Sequence, residues 1–322
     1  MTRRSAVPPP VTAVLDASST WLPARLAEVE ELLRGEAAQH GGELLAADVR
    51  ATLDAGGKRL RPLLVLLCAG PGAGAAAVRA AAAVELVHMA TLVHDDVLDA
   101  APLRRGQPTV AAASGRRRAV STGDLLFSRA FAVLAAAGDA RAIELLASAS
   151  VALARGELAQ RQDAYDTSIS EERYLERCRL KTAALFECAC LMGLDREEVA
   201  AFGSSVGLAF QLLDDVLDIA GPPERTGKAR GTDLLDGTVT LPLILAADED
   251  PGLLATDLRS LDAAGAEALC DRIGAGGALA AVRARGLEMV AEAKRRLADA
   301  GLDAEQRHLL SLVADGVVKR YS

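Results

Sequence analysis

Apolar residues recur along this chain at spacings of three and four, interrupted by short polar or glycine-rich breaks. That period is helical. It predicts helices over 23–34, 44–53, 74–99, 125–137, 140–163, 170–192 and 195–220, with another reopening at 241 and two or three supporting helices after it. Ser170-Glu171-Glu172 reads as a capped helix start, with acids in the first turn. Residues 1–20, broken by Pro8-Pro9-Pro10, are expected to be a flexible segment. Residues 221–237 are rich in glycine and charge and read as a mobile lid around Lys228. No linker demands a second domain, so 21–322 is expected to be a single all-α domain.

Composition agrees with helices. The 322 residues are 51% hydrophobic but only 3% aromatic, and alanine is abundant. A net charge of −8 gives no electrostatic case for nucleic acid or an anionic membrane surface. Arg116-Arg117-Arg118 is too short to alter that and reads as a solvated loop. The five cysteines are odd in number and show no CxxC spacing, so they read as reduced core residues of a cytoplasmic protein. There is no secretory pattern. The longest apolar run noted, Leu63 to Ala69, falls well short of the ~20 residues that span a bilayer, so no transmembrane segment is expected.

The chemistry gathers where apolar helices end in acids. In Leu92-Val93-His94-Asp95-Asp96-Val97-Leu98-Asp99, Asp95 and Asp99 share one helix face, where like charges repel. A hard divalent cation such as Mg2+ would turn that repulsion into ligation, completed by substrate phosphates. The pattern repeats as Gln211-Leu212-Leu213-Asp214-Asp215-Val216-Leu217-Asp218. Two such clusters facing each other suit several Mg2+ ions around one diphosphate.

Cations follow the same logic. Lys58 and Arg61 are expected in a loop leading into a helix N-terminus, a place that favours anions. His88 lies two turns before Asp95 and projects to the same side. Arg104 and Arg105 follow the first acidic cluster in a loop over 100–108, where guanidinium groups suit phosphate oxygens. Lys181 falls on an apolar helical stripe beside Thr182, so it needs a partner or a polar cavity.

Together these segments resemble the trans-isoprenyl diphosphate synthases, or polyprenyl synthases, and most the medium- and long-chain bacterial members. The resemblance rests on Gly56 to Pro62, His94 to Asp99 with Arg104-Arg105-Gly106, Lys181-Thr182, Gln211 to Asp218, and Gly227-Lys228 with Thr240-Leu241-Pro242. It covers about residues 50–245. It implies an isoprenoid-synthase helical bundle around a central active-site cavity, in a homodimer. It implies Mg2+, three per active site and replaceable by Mn2+. Asp95, Asp99 and Asp214 would be direct ligands, with Asp96, Asp215 and Asp218 supporting those ligands or reaching the ions through water. Arg104, Lys181, Gln211 and Lys228 would hold an allylic diphosphate, and Lys58, Arg61, His88 and Arg105 isopentenyl diphosphate. Thr182 and Gln211 would lend their dipoles to an allylic cation.

Two departures stand out. Ala100-Ala101-Pro102 replaces residues that are usually polar or acidic, and Thr238 stands where many shorter-chain members carry lysine. Short-chain members close the product tunnel with a bulky residue four or five before the first aspartate. Here those positions are Thr91 and Ala90, with Val87 one turn further on, and none is aromatic. The implied product is therefore a linear all-trans chain longer than C20. The alternatives are a geranylgeranyl or other short-chain synthase, with the small residues serving helix packing alone, a terpene cyclase, or a non-catalytic partner subunit of a prenyl synthase.

Overall fold

The computed structural model describes residues 9–18, 21–39, 42–221 and 230–319. Within them the chain is a helical bundle with one two-residue antiparallel ladder. The elements that position the site are α1 (Pro9–Ala17), α2 (Trp21–Gln39), α3 (Gly42–Asp54), α4 (Leu60–Ala69), α5 (Ala75–Leu98), β1 (Leu103–Arg104), β2 (Gln107–Pro108), α6 (Val110–Ser114), α7 (Arg116–Ala137), α8 (Ala140–Gln162), α9 (Glu171–Cys178), α10 (Ala184–Gly193) and α11 (Glu197–Ala220). Helices Leu241–Glu249, Ala263–Gly274, Ala278–Arg296 and Ala304–Lys319 follow.

α5 is the axis of the first half. Ala80 to Ala83 are at most 2% exposed, and these small side chains let α7 pack along it more extensively than any other pair of elements. α10 lies between α4, α5, α8 and α11 and joins the two halves of the main core. Tyr174, Phe186 and Phe202 are fully enclosed aromatic side chains, whereas Trp21, Phe127, Phe131, Tyr165 and Phe210 are half-buried.

Helix ends follow local chemistry. The side chains of Asp139 and Ser170 accept the N–H of Ala142 and Arg173, at 2.9 and 3.2 Å, and satisfy first-turn donors.

Several expectations are corrected. Within 1–20, Pro9–Ala17 forms a helix whose Val14 is fully buried, and this helix packs on Ala304–Lys319. Arg61 belongs to the first turn of α4 rather than to the preceding loop; Lys58 stays in the loop. Arg116 to Arg118 start α7 instead of forming a loop, because Arg118 donates to the buried carboxylate of Asp48 on α3 at 2.7 and 2.9 Å. The loop over 100–108 contains the β1–β2 hairpin, whose turn residues Arg105 and Gly106 both have positive φ, 53° and 75°. That is the turn type whose twist matches a two-residue hairpin. Much of the expected lid, 222–229, lies outside the described residues; Thr232–Leu235 is a short helix.

The expectation about membrane-length helices is also corrected. By length and composition alone, α5, α7 and α11 are long and apolar enough to cross a membrane. α5 and α11 turn most of that apolar stretch into the bundle, whereas α7 buries 39% of its own. All five cysteines are buried and free, as expected.

Candidate active site

The expected single helix over 170–192 is interrupted at Arg179–Ala183 by a π-helical turn, in which the N–H of Ala184 bonds the carbonyl of Arg179. Such turns are frequent at functional sites, and this one carries Lys181 and Thr182. Gly156 on α8 allows the turn to pack closely: a Cβ there would lie 2.6 Å from the backbone nitrogen of Lys181. The Lys181 ammonium pairs with Glu157, one residue further along α8. This is the partner that a lysine on an apolar stripe requires.

α5 delivers the first acidic cluster. Burial pushes Asp95 up, to about 6; Lys181 opposes that, while Glu157 and Asp99 add to it. Asp96 is 4% exposed and takes Nε and Nη2 of Arg104 at 2.8 and 2.7 Å. Asp99, at the end of the helix, accepts from Nη2 of Arg161 at 2.6 Å.

α11 delivers the second. Asp215 is 1% exposed and turned inward, where Oδ2 accepts from the Tyr174 hydroxyl at 2.5 Å and Oδ1 from the Gln211 amide at 2.8 Å. Gln211 in turn accepts from Thr182 Oγ1 at 2.8 Å. Burial lifts Asp215 to about 7 although both hydrogen bonds favour its charged form. Asp218 accepts the backbone N–H of Asp233 at 3.2 Å, which ties α11 to the segment after the lid.

Asp99, Lys181, Thr182, Gln211, Asp215 and Thr238 line one polar cavity of about 200 Å³. Pockets for whole small ligands usually measure ~300–1,000 Å³, so this space suits a charged head group. Among the described residues, no three of His, Cys, Asp and Glu converge closely enough to hold a metal ion by themselves. The oxygen donors present, in pairs on separate helices, fit an ion that completes its shell with water and phosphate oxygens, as Mg2+ does.

A second set of cations gathers where α4, α5, α10 and α11 meet. Arg61 lies over the ring of Phe186, 4.6 Å from its centroid, and Lys58 over Phe210 at 5.8 Å; the two rings are 5.8 Å apart. Burial lowers Arg61 to about 10, with Glu85 opposing. Arg61 Nε and Glu85 Oε2 are both buried without a hydrogen-bond partner among the described residues. Burial, then Arg61, Arg105 and Arg104, hold His88 well below its usual range and therefore neutral. The Arg105 guanidinium lies over Gly57, 3.2 Å from where a Cβ would be.

The structure thus brings Lys58, Arg61, His88 and Arg105 to one place, and Asp99, Lys181, Thr182 and Gln211 to another. Lys228 lies outside the described residues. Of the tunnel positions, Ala90 and Val87 are fully buried, while Thr91 is half-buried and donates to the carbonyl of His88 at 2.8 Å. Sequence reading missed Glu157, Arg161, Tyr174 and Glu85. Only Glu157 and Arg161 carried a signal, an acid and a base four apart beside Gly156.

The profile of the polyprenyl synthetase family matches residues 43–264. Heptaprenyl diphosphate synthase component 2 of Geobacillus stearothermophilus is 42% identical over 246 residues, covering 73% of this chain and 77% of that one. The crystal structure of a decaprenyl diphosphate synthase from Rhodobacter capsulatus superposes with a TM-score of 0.87 at 32% identity, over 97% of this chain and 99% of the other. A polyprenyl synthase from Caulobacter crescentus CB15, complexed with calcium and isoprenyl diphosphate, gives 0.87 at 33%, over 97% and 98%. The chain therefore belongs to the polyprenyl synthetase family, whose members are prenyltransferases built on this helical fold.

Proposed function

We propose that this chain joins isopentenyl diphosphate head to tail to an allylic diphosphate, with Mg2+, and releases a linear all-trans polyprenyl diphosphate longer than C20. The observation that carries this reading is that the cations gather in two separate places, each suited to a diphosphate. One is the acidic cavity with Lys181; the other is the cationic cluster over Phe186 and Phe210. A cyclase needs only one diphosphate, whereas a condensing enzyme needs two. The calcium and isoprenyl diphosphate bound by the Caulobacter relative support the same pairing of ion and substrate.

In this reading Arg104, Lys181, Gln211 and Lys228 hold the allylic diphosphate, and Lys58, Arg61, His88 and Arg105 hold the isopentenyl one. Asp95, Asp99 and Asp214 would hold Mg2+, or Mn2+ in its place, which would supply charge neutralisation for the departing pyrophosphate. Lys181 adds a fixed positive charge to that leaving group, so the allylic C–O bond ionises. Thr182 and Gln211, locked together by their hydrogen bond, present oxygen dipoles to the cation. The isopentenyl double bond attacks the cation, and the pyrophosphate takes the proton that is lost. Exclusion of water from the reacting carbon would protect the cation from capture.

The tunnel positions Thr91, Ala90 and Val87 support a long product, as do the heptaprenyl and decaprenyl relatives. We place 21–322 in one catalytic domain of a cytoplasmic homodimer. Apolar Val120, Val151 and Leu158, 39%, 60% and 63% exposed on α7 and α8, offer the facing surface. The deciding experiment incubates the purified chain with Mg2+, isopentenyl diphosphate and an allylic primer, then sizes the products. Linear diphosphates beyond C20 support the reading, and hydrocarbons would establish a cyclase. The "component 2" in the name of the Geobacillus relative favours one second reading, a chain that needs another subunit. Silence of the chain alone, relieved by a second subunit, would establish that one.

A further inference from the structure

Arg161, near the C-terminal end of α8, lines the polar cavity together with Lys181 and Thr238. Its Nη2 donates to Asp99 Oδ1 at 2.6 Å and its Nε to Glu157 Oε1 at 2.8 Å. The other oxygen of Glu157 holds Lys181. A continuous chain, Asp99–Arg161–Glu157–Lys181, therefore links the first acidic cluster to the lysine of the π-helical turn. The remaining donor, Nη1, engages none of the described residues. Arg177 lines the same cavity but is 4% exposed and committed to Asp163 and the carbonyl of Val239. Thr238 contributes a hydroxyl and no charge.

Resting on the proposed prenyl transfer, we infer that Arg161 is a further binding residue for the allylic diphosphate. Its guanidinium passes from Asp99 to the phosphate when Asp99 turns to the divalent ion. The Asp99–Arg161 pair is partly exposed, its side chains 32% and 40% accessible, and ion pairs of that kind exchange readily. Glu157 stays on Nε and keeps the planar group oriented. Both Nη groups then face the cavity, the fork geometry that receives a phosphate through two hydrogen bonds. Thr238 offers this cavity only a hydroxyl, and Arg161 on α8 supplies a cation to it.

The test compares Arg161→Gln and Arg161→Lys with the wild-type chain. Calorimetry reads the affinity for inorganic pyrophosphate and for a non-ionising allylic thiolodiphosphate, each with Mg2+. Kinetics read KM for each substrate, and thermal unfolding checks the fold. We expect Arg161→Gln to weaken both ligands and to raise the allylic KM about tenfold, the loss of a charge-assisted hydrogen bond. The KM for isopentenyl diphosphate should stay within about twofold, and Arg161→Lys should recover part of the loss. The Glu157→Gln background separates contact from positioning. A contact predicts that Arg161→Gln still costs about tenfold there, whereas action through Glu157 and Lys181 alone predicts no further loss. Unchanged pyrophosphate affinity, an equal rise in both KM values, or disappearance of the effect in that background overturns the inference. Weakening of the thiolodiphosphate alone also overturns it, because the contact would then be to the prenyl chain. A wild type that binds pyrophosphate but makes no prenyl product, alone or with a second subunit, sinks the prenyl-transfer reading and this inference with it. Normal turnover with unaltered binding in Arg161→Gln sinks this inference alone.

Discussion

The hydroxyl of Tyr174 donates to Oδ2 of Asp215 at 2.5 Å, and both residues are 1% exposed. The bond begins a series that runs from the core through the Gln211 amide to the Thr182 hydroxyl on the cavity wall. Asp215 is therefore an organiser. It uses both oxygens to fix two groups of the cavity wall, and Tyr174 holds it in place from the core side. Because the Tyr174–Asp215 end of the series is buried, losing that bond leaves an unsatisfied group in a medium where that is costly.

Tyr174→Phe removes one donor and leaves Oδ2 of Asp215 without its partner. The expected loss of stability is ~1–3 kcal/mol, the penalty for an orphaned buried acceptor. Turnover should fall by about tenfold as Gln211 loosens, a change of ~1.4 kcal/mol in the barrier. Thermal unfolding and kcat measured on one preparation would check both. A variant with wild-type stability would show that the bond contributes nothing.

Much of this was legible in the sequence, for a definite reason. Apolar spacing locates α5, α8 and α11 because each has a core-facing stripe, and the acids that end α5 and α11 stand out against it. What stayed hidden depends on distant partners. The pairing of Lys181 with Glu157 joins residues 24 apart, and that of Arg118 with Asp48 joins residues 70 apart. Nothing local to 116–118 distinguishes a helix start from a solvated loop. The π-helical turn at Arg179–Ala183 leaves the apolar period almost intact and was equally silent. Nothing in the sequence marks Tyr174, since its hydroxyl acquires meaning only when α9 meets α11.

The acidic clusters make a prediction about metal. Asp95→Ala and Asp214→Ala should each reduce kcat by several orders of magnitude, as expected when an electrostatic contribution of a few kcal/mol or more is lost. A chelator should abolish wild-type turnover, and added Mg2+ or Mn2+ should restore it. Near-normal turnover in either variant, or indifference to the chelator, would remove these residues from the assignment.

Arg61 offers a test of the second anion site. Its guanidinium is buried on Phe186, and its Nε has no hydrogen-bond partner among the described residues. An arriving diphosphate would supply the missing acceptor. Arg61→Ala should raise KM for isopentenyl diphosphate about tenfold or more, consistent with a lost charge-assisted bond. The allylic KM should change far less. Rate measurements with each substrate varied separately decide this, and an effect confined to the primer would show that the two sites are assigned the wrong way round.

Product length depends on what stands below Asp95 on α5. From Thr91 back to Ala83, the positions on the broad face of Asp95 span about 12 Å at 1.5 Å rise per residue. Ala90, Val87, Val84 and Ala83 have no exposed surface, whereas Thr91 keeps some. A growing chain that follows this face meets Thr91 first and must then part α5 from the helices packed against it. Small residues make that parting possible, because they form no plug of their own. Thr91→Phe should therefore shorten the products while leaving stability near wild type. Ala90→Phe should shorten them too, but at a cost of ~1–3 kcal/mol from overpacking a closed core. Chromatographic sizing of the dephosphorylated products, together with thermal unfolding, reads both effects. If the wild type stops at the four-unit product, or if both variants keep the wild-type distribution, the floor of the tunnel lies on another helix.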